Sequence, residues 1–245
     1  MQRKRVPLAA AVALLWLTAT VLVHGTNVTG RFIIKDQNKP LNSESDATAV
    51  VWLLPASSPP APNTDRPKTT ARRLTLLQKS KRFDPHIMVV EVGTMVDFPN
   101  RDPFFHNVFS LFDGKRFDLG LYEAGSTRSV RFDRPGVCYI FCNIHPEMSA
   151  VLVVVNSPYY TISKSSGEFE ISGVPPGRYE LNVWAEHSLP KTLKELSREV
   201  AVGKDPTVLG TIHLQTSREL FTIHPNKYGK SYDPQVFSSP MYLDR

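Results

Sequence analysis

The segment GVCYIFCNIHPEM, residues 136–148, decides the interpretation of this chain of 245 residues. Its first half is rich in aromatic and β-branched residues, which is typical of a β-strand. Its second half is a short loop in which Cys142, His145 and Met148 follow the spacing C-x2-H-x2-M, and Pro146 stiffens that loop. Thiolate, imidazole and thioether groups are metal ligands. The segment therefore predicts a β-scaffold that carries a metal site.

Strand signals continue on both sides of this segment. GRFIIKD, TAVVWLL, HIMVVEVG, SVRFD and AVLVVV alternate in hydrophobicity or form short β-branched runs, and turn signals such as DQNKP and RPG separate them. Two short stretches, 72–81 and 192–199, are candidate helices. The predicted class is all-β, with a Greek-key β-sandwich around the loop 142–148, followed by a small second β-sandwich.

A second histidine, His106, lies upstream in FPNRDPFFHNVFS. One Cys, two His and one Met on a β-scaffold are the ligand set of a blue-copper site, because sulfur ligands suit Cu(I) and imidazole suits both oxidation states. We therefore expect one copper ion, with His106, Cys142 and His145 as strong ligands and Met148 as a weak axial ligand. The sequence predicts no catalytic residue and no other cofactor site.

Other interpretations of the cysteines are weaker. Cys142 and His145 could form a catalytic pair, but no third orienting group is evident in the sequence. Structural zinc sites prefer two or more cysteines and have no use for Met148. Cys138 lies about 13 Å from Cys142 along an extended strand, whereas a disulfide needs Cα atoms within about 7 Å. We expect Cys138 to be a buried free thiol.

Residues 86–155 resemble the cupredoxin family, which implies a cupredoxin-like arrangement of the Greek-key β-sandwich. The motifs FPNRDPFFHNVFS, FDLGLY and FCNIHPEM are most similar to those of bacterial plastocyanin-like or methylamine-utilisation-like proteins, and the ligand loop has the spacing found in amicyanin. The resemblance implies that His106, Cys142, His145 and Met148 bind copper. It implies one-electron transfer with a redox partner of unknown identity, and no enzymatic activity. It also implies that the Asn107 backbone hydrogen-bonds the thiolate and that its side chain ties the two ligand loops together.

The N-terminus has the pattern of a secretory signal over residues 1–25. Arg3, Lys4 and Arg5 precede an apolar run over 8–23, and small residues precede Thr26. An uncleaved anchor is the alternative, but that run is short of the about 20 residues that a span needs. We expect a secreted or periplasmic protein without a membrane span after signal removal. Removal lowers the basic residues from 29 to 26 against 23 acidic ones, a net charge of +3, which gives no reason to expect nucleic acid as a partner.

The second half of the chain carries a different pattern. Residues 167–184 follow G-x-F-x-I-x-x-V-P-P-G-x-Y-x-L-x-V-W, which resembles a carboxypeptidase-regulatory-like β-sandwich and is silent on function. The expected division is a copper-binding domain over 26–155 with a Pro-rich insertion at 55–68, a second sandwich over 156–216 and an extended tail or surface strap over 217–245. Residues 30–54 are either the first strand pair of the copper domain or a separate element.

Two rival functions remain at the level of sequence. The same four ligands would serve a copper-trafficking or sensing protein that hands Cu(I) to a partner. Alternatively, the chain is a β-sandwich adhesion or carbohydrate-binding module whose metal site is vestigial or structural.

Overall fold

The computed structural model describes residues 25–36, 48–56, 73–111, 114–216 and 226–231. The predicted all-β class is confirmed, because the regular structure in these residues consists of strands and one short helix. The strands are β1 (Thr26–Asp36), β2 (Ala49–Pro55), β3 (Arg73–Thr75), β4 (Leu77–Lys79), β5 (Arg82–Asp84), β6 (Ile87–Glu91), β7 (Thr94–Pro99), β8 (His106–Ser110), β9 (Phe117–Tyr122), β10 (Thr127–Phe132), β11 (Gly136–Cys142), β12 (Ser149–Val155), β13 (Tyr160–Ile162), β14 (Glu168–Val174), β15 (Gly177–Ala185), β16 (Arg198–Val202) and β17 (Thr207–Thr216), and the helix is α1 (Pro190–Leu196).

The two candidate helices have different outcomes. A short helix overlaps the second stretch, but it begins two residues earlier and ends before residues 198–199, which belong to β16. It begins with a proline at its first turn, a position that tolerates the missing N–H. The helix expected over 72–81 is wrong, since β3 and β4 occupy that stretch. Leu76 between them is fully buried, and β3 pairs in parallel with β7.

The first sandwich carries the loop of residues 142–148, here called the ligand loop. Its larger sheet has the strand order β6-β12-β11-β8-β9, and its smaller sheet has the order β10-β7-β3. Apolar side chains from both sheets form one core, to which Phe98 and Phe132 contribute from the smaller sheet and Ile140 and Leu152 from the larger. Strand β12 pairs in parallel with β6 and antiparallel with β11, so the strand that follows the loop is an interior strand of the larger sheet.

The second sandwich is formed by sheets β14-β1-β17 and β13-β2-β15-β16. Alternate residues of β1, β2 and β15 point into its core, where Phe32, Leu53 and Leu181 are buried. Strand β1 is central in its sheet and pairs in parallel with β17, with Phe32 opposite Ile212.

This pairing corrects the expected division at residue 26. Strands β1 and β2 pair with strands of the second sandwich and not with those of residues 73–155. The physical reason is that Val28 and Phe32 bury their side chains against Phe169 and Ile171 of β14. The expected Pro-rich insertion and C-terminal tail lie mostly outside the described residues, and the signal segment lies almost entirely outside them.

The two sandwiches share a buried layer. Strand β12 is buried on both faces, and its outward-facing Val151 and Val153 pack with Val50 of β2 and Trp184 of β15. The sheets therefore stack in four layers, with the second sandwich covering the outer face of the sheet that carries the ligand loop. His86, which directly precedes β6, lies beside this layer, because its carbonyl accepts the Val151 N–H at 2.8 Å.

An ion pair crosses the boundary between the two sandwiches. The Nε2 atom of His86 lies 3.0 Å from the Glu186 carboxylate, and its Nδ1 atom lies 3.1 Å from the Ser149 carbonyl oxygen. The bond to Glu186 raises the pKa of His86, although partial burial opposes the shift. No helix in the described part of the chain has the length and apolar character that crossing a membrane requires.

Candidate metal centre

Two adjacent strands bring the candidate ligands together. His106 begins β8 and Cys142 ends β11, and these strands pair so that Cys142 lies opposite Val108. The loop after Cys142 is closed by two backbone hydrogen bonds. The Met148 N–H donates to the His145 carbonyl at 2.9 Å, and the Cys142 N–H donates to the Met148 carbonyl at 3.2 Å. The loop therefore holds His145 over the end of the strand.

Three of the four predicted ligands form one cluster. The Nδ1 atoms of His106 and His145 each lie 3.6 Å from the Cys142 sulfur, and the candidate donor atoms of the three residues all lie within 4.8 Å of one another. Cys142 and His106 are fully buried and His145 is 4% exposed. A thiolate and two imidazoles in one dry pocket are a donor set that fits copper.

Met148 lies in the same buried region. Its side chain is 1% exposed and belongs to the apolar core that also contains Cys142. Its backbone closes the ligand loop through the two hydrogen bonds described above. Its role as an axial ligand stays a prediction.

Asp102 is a functional residue that the sequence reasoning missed. Its Oδ2 atom lies 2.8 Å from Nε2 of His106, and its carboxylate accepts hydrogen bonds from the Ser80 N–H at 2.6 Å and the Lys81 N–H at 3.0 Å. Burial alone would raise the pKa of Asp102, but these hydrogen bonds outweigh burial and lower it. A carboxylate on Nε2 fixes the ring orientation and leaves Nδ1 to bind a metal. The local signal for Asp102 is an Asx-type turn, in which the Asp102 N–H donates to the Asn100 side chain at 3.0 Å.

Both imidazoles are held in the neutral form that metal binding requires. Burial, together with the nearby charges of His106 and Lys81, lowers the pKa of His145 to about 4, although the Asp102 carboxylate opposes the shift. Burial also lowers the pKa of His106, which Asp102 opposes only in part.

The sulfur of Cys142 faces backbone donors. Burial raises the pKa of the Cys142 thiol, and the N–H groups of Asn107, Ile144 and His145 oppose that rise by donating toward the sulfur. N–H groups aimed at sulfur stabilise its thiolate form. The Asn107 backbone contact that the resemblance implied is therefore present.

The Asn107 side chain differs from expectation. Its Nδ2 atom donates to Asp118 Oδ1 at 2.7 Å and not to the ligand loop. The pairing of β8 with β9 is irregular between Asn107 and Phe109, and such bulges re-aim side chains. The buried Oδ1 atom of Asn107 has no hydrogen-bond partner among the described residues.

Cys138 is a buried free thiol, as predicted. It lies on β11 in the same apolar core as Cys142, and neither cysteine forms a disulfide. Burial raises the pKa of Cys138 to about 11, so its thiol stays protonated at neutral pH. Cys138 therefore packs in the core and is absent from the cluster.

The aromatic ring of Phe104 lines one side of the cluster. The Phe104 ring lies 5.3 Å from the His106 ring and 5.4 Å from the His145 ring. The adjacent Phe105 is 55% exposed. An apolar side chain thus reaches the surface one residue away from a buried imidazole.

Comparisons with known proteins give partial structural similarities. No family model and no curated protein matches the chain. A copper-containing nitrite reductase from Thermus scotoductus SA-01 is 24% identical over 34% of this chain and 22% of that chain, with a TM-score of 0.33. A purple cupredoxin from Nitrosopumilus maritimus is 22% identical over 34% of this chain and 99% of that chain, with a TM-score of 0.31.

A reduced amicyanin mutant is 20% identical over 36% of this chain and 87% of that chain, with a TM-score of 0.33. This chain thus spans less than a quarter of the nitrite reductase and most of the two smaller proteins. The resemblance of residues 167–184 to a carboxypeptidase-regulatory-like domain stays a prediction. The case for a metal ion comes from the His–Cys–His cluster itself.

Proposed function

We propose that this protein is an exported blue-copper protein that transfers single electrons between redox partners. The observation that carries the proposal is the Cys142 sulfur, buried between two imidazole Nδ1 atoms at 3.6 Å and facing three backbone N–H donors. This donor set is typical of blue-copper sites. Export follows from the signal pattern at residues 1–25.

Each residue has a distinct part in this function. His106, Cys142 and His145 would hold the ion, and Met148 would be a weaker fourth ligand. When bound, copper supplies one-electron chemistry by alternating between Cu(I) and Cu(II). Asp102 fixes the orientation of His106, and the apolar surroundings exclude water from the sulfur. A fixed and dry ligand set limits rearrangement between oxidation states.

Burial of the ligands favours retention of the ion over its transfer. The three donors are at most 4% exposed, whereas a trafficking site must present a ligand to the receiving protein. A vestigial site in an adhesion module would not require neutral imidazoles and N–H groups directed at one thiol. The site therefore supports an electron carrier more strongly than either rival function.

We infer that the partner presents an acidic surface. Phe105 reaches the surface beside the cluster, and the turn 80–81 contacts Asp102 directly through its backbone. Segments 78–83 and 99–105 carry Lys79, Lys81, Arg82 and Arg101, and their single carboxylate, Asp102, is buried. The ligand loop adds one exposed carboxylate, Glu147, which these four cationic residues outnumber. An apolar contact within a cationic rim favours an anionic partner and accelerates its association.

The proposal is tested by anaerobic copper titration followed by visible and EPR spectroscopy. We expect one copper ion per chain and an intense thiolate-to-Cu(II) band after oxidation. Cys142→Ser should abolish the band, and Met148→Gln should keep it with a lower reduction potential. Cys138→Ser is the matched control, because it removes the other buried thiol of the same strand and should keep the band.

Two outcomes would contradict the proposal. One is failure of the purified protein to acquire copper, which would favour the adhesion module. The other is a band that persists in Cys142→Ser. Rapid loss of copper to a competing chelator would instead favour trafficking.

A further inference from the structure

Residues 226–231, here called the C-terminal turn, form a compact element next to the metal centre. The Asn226 side-chain oxygen accepts hydrogen bonds from the N–H groups of Tyr228 at 3.0 Å and Lys230 at 3.1 Å. The Asn226 N–H donates to the Lys230 carbonyl, and the Gly229 N–H donates to the Asn226 carbonyl, both at 2.8 Å. Gly229 has a φ of +74°, which glycine adopts without strain. The turn is thus held by its own hydrogen bonds.

Lys227 connects this turn to two different parts of the metal centre. Its backbone N–H donates to Asn143 Oδ1 at 3.0 Å, and Asn143 directly follows Cys142 in the ligand loop. Its side-chain Nζ donates to Asp118 Oδ2 at 3.0 Å. Asp118 lies on β9, the strand next to β8. One residue therefore contacts both the ligand loop and the strand pair that carries His106.

The contact with Asp118 continues to the sulfur. The other oxygen of Asp118 accepts the Asn107 side chain at 2.7 Å and the Gly120 N–H at 2.9 Å. Asn107 follows His106, and its backbone N–H donates toward the Cys142 sulfur. The connection from Lys227 thus reaches Cys142 by two routes, one through Asn143 and one through Asp118 and Asn107.

We propose that the C-terminal turn is a positioning element of the metal centre, in which Lys227 fixes the ligand loop relative to strands β8 and β9. The turn takes over the link between the two ligand segments that the Asn107 side chain was expected to make. This inference rests on the proposed copper function, but its structural part applies to the metal-free protein. The described part of the tail is thereby assigned a role that its sequence did not indicate.

The test compares matched single variants of the full chain. Lys227→Ala removes the Nζ contact, and Asn143→Ala removes the acceptor for the Lys227 N–H. Lys227→Arg keeps a cationic donor for Asp118, and Asn143→Asp keeps an oxygen acceptor. Lys230→Ala is the control, since it removes the same charge from the same turn while keeping the backbone N–H that Asn226 binds.

The first measurement is hydrogen exchange of the amides of Asn107 and of residues 143–148 in the metal-free protein. We expect roughly two- to fivefold faster exchange in Lys227→Ala, the factor that corresponds to loss of an exposed ion pair. Asn143→Ala should change exchange in the same direction. The second measurement is release of copper from the loaded protein to a chelator, which the same two variants should accelerate. Lys227→Arg and Asn143→Asp keep these contacts and should show the wild-type rates of amide exchange and copper release.

The inference is overturned if Lys227→Ala exchanges and releases copper at the same rates as Lys230→Ala. It is also overturned if exchange changes only within residues 226–231 and not in the ligand loop. If the wild-type chain acquires no copper, the proposed function fails, while the exchange experiment still decides whether the turn positions the loop.

Discussion

Asp102→Asn is the substitution that most directly probes how the His106 ring is held. In the native carboxylate, Oδ1 accepts the Ser80 N–H, and Oδ2 accepts both the Lys81 N–H and the His106 ring. Asparagine keeps the shape but replaces one oxygen with a donor. Whichever way the amide is oriented, at least one of these three N–H groups then faces another donor.

The magnitude follows from those contacts. The orientation that keeps Lys81 and His106 paired leaves the Ser80 N–H without its acceptor. Because that hydrogen bond is only partly buried, its loss should cost about 0.5–1.5 kcal/mol in the free energy of unfolding. The remaining bond to His106 loses its charge assistance. Substitution of such an outer carboxylate typically weakens metal binding by about 10- to 100-fold, and we expect a loss in this range.

The assay is competition for copper against a chelator, combined with urea unfolding of the metal-free protein. Asp97→Asn is the matched control, because it removes the same charge at a different place. Asp97 lies on the smaller sheet and pairs with the exposed Arg73 at 2.6 Å. That variant should keep the copper affinity. An Asp102→Asn protein with wild-type affinity would refute the conclusion that Asp102 orients the ligand.

Three further results are expected. Trp184→Ala should lower the free energy of unfolding by about 3–5 kcal/mol in one cooperative urea transition, because Trp184 is buried between the sandwiches; two separate transitions would contradict the shared layer. The pKa of His86 is raised by its pair with Glu186, so this pair stabilises the fold fully below about pH 6.5. The contribution is under about 1 kcal/mol, because both groups are partly exposed. It is lost as the pH rises through the pKa of His86 in the folded protein. Glu186→Gln should therefore destabilise the protein more in mildly acidic than in alkaline urea titrations, and an equal effect at both pH values would contradict the pairing. Charge reversal at Lys79 and Arg101 should slow oxidation of the Cu(I) protein by ferricyanide and accelerate it by a cationic cobalt(III) complex, whereas equal responses to both oxidants would argue against a cationic docking rim.

The metal cluster was predictable because its signals are local or belong to one motif. The spacing of Cys142 and His145 lies within a single loop, and the motif around His106 identified the second imidazole. Asp102 was missed, although it lies only four residues before His106, because the turn that aims its carboxylate at the ring also depends on N–H groups from Ser80 and Lys81. Those residues are distant in sequence and carry no motif.

The pairing of the first strands could not be predicted in the same way. Alternation in GRFIIKD shows which face of β1 is buried, but it does not identify the neighbouring strand. Its neighbours are β14 and β17, which are both far away in sequence. The helix expected over 72–81 failed for a related reason, since the parallel partner of β3 is the later strand β7, and such pairing overrides local propensity.

The pairing of β1 with β17 has a consequence for the order in which the molecule is completed. Residues 73–155 contain all strands of their own sandwich, so they have every partner as soon as they have been synthesised. Strands β1 and β2 are synthesised early, but their pairing partners are synthesised later. These partners are β14 and β17 for β1, and β13 and β15 for β2. Until then their apolar faces have no sheet to join, and early-formed segments of this kind are prone to aggregation. The sandwich that carries the His–Cys–His cluster is therefore complete before the sandwich that contains β1 and β2.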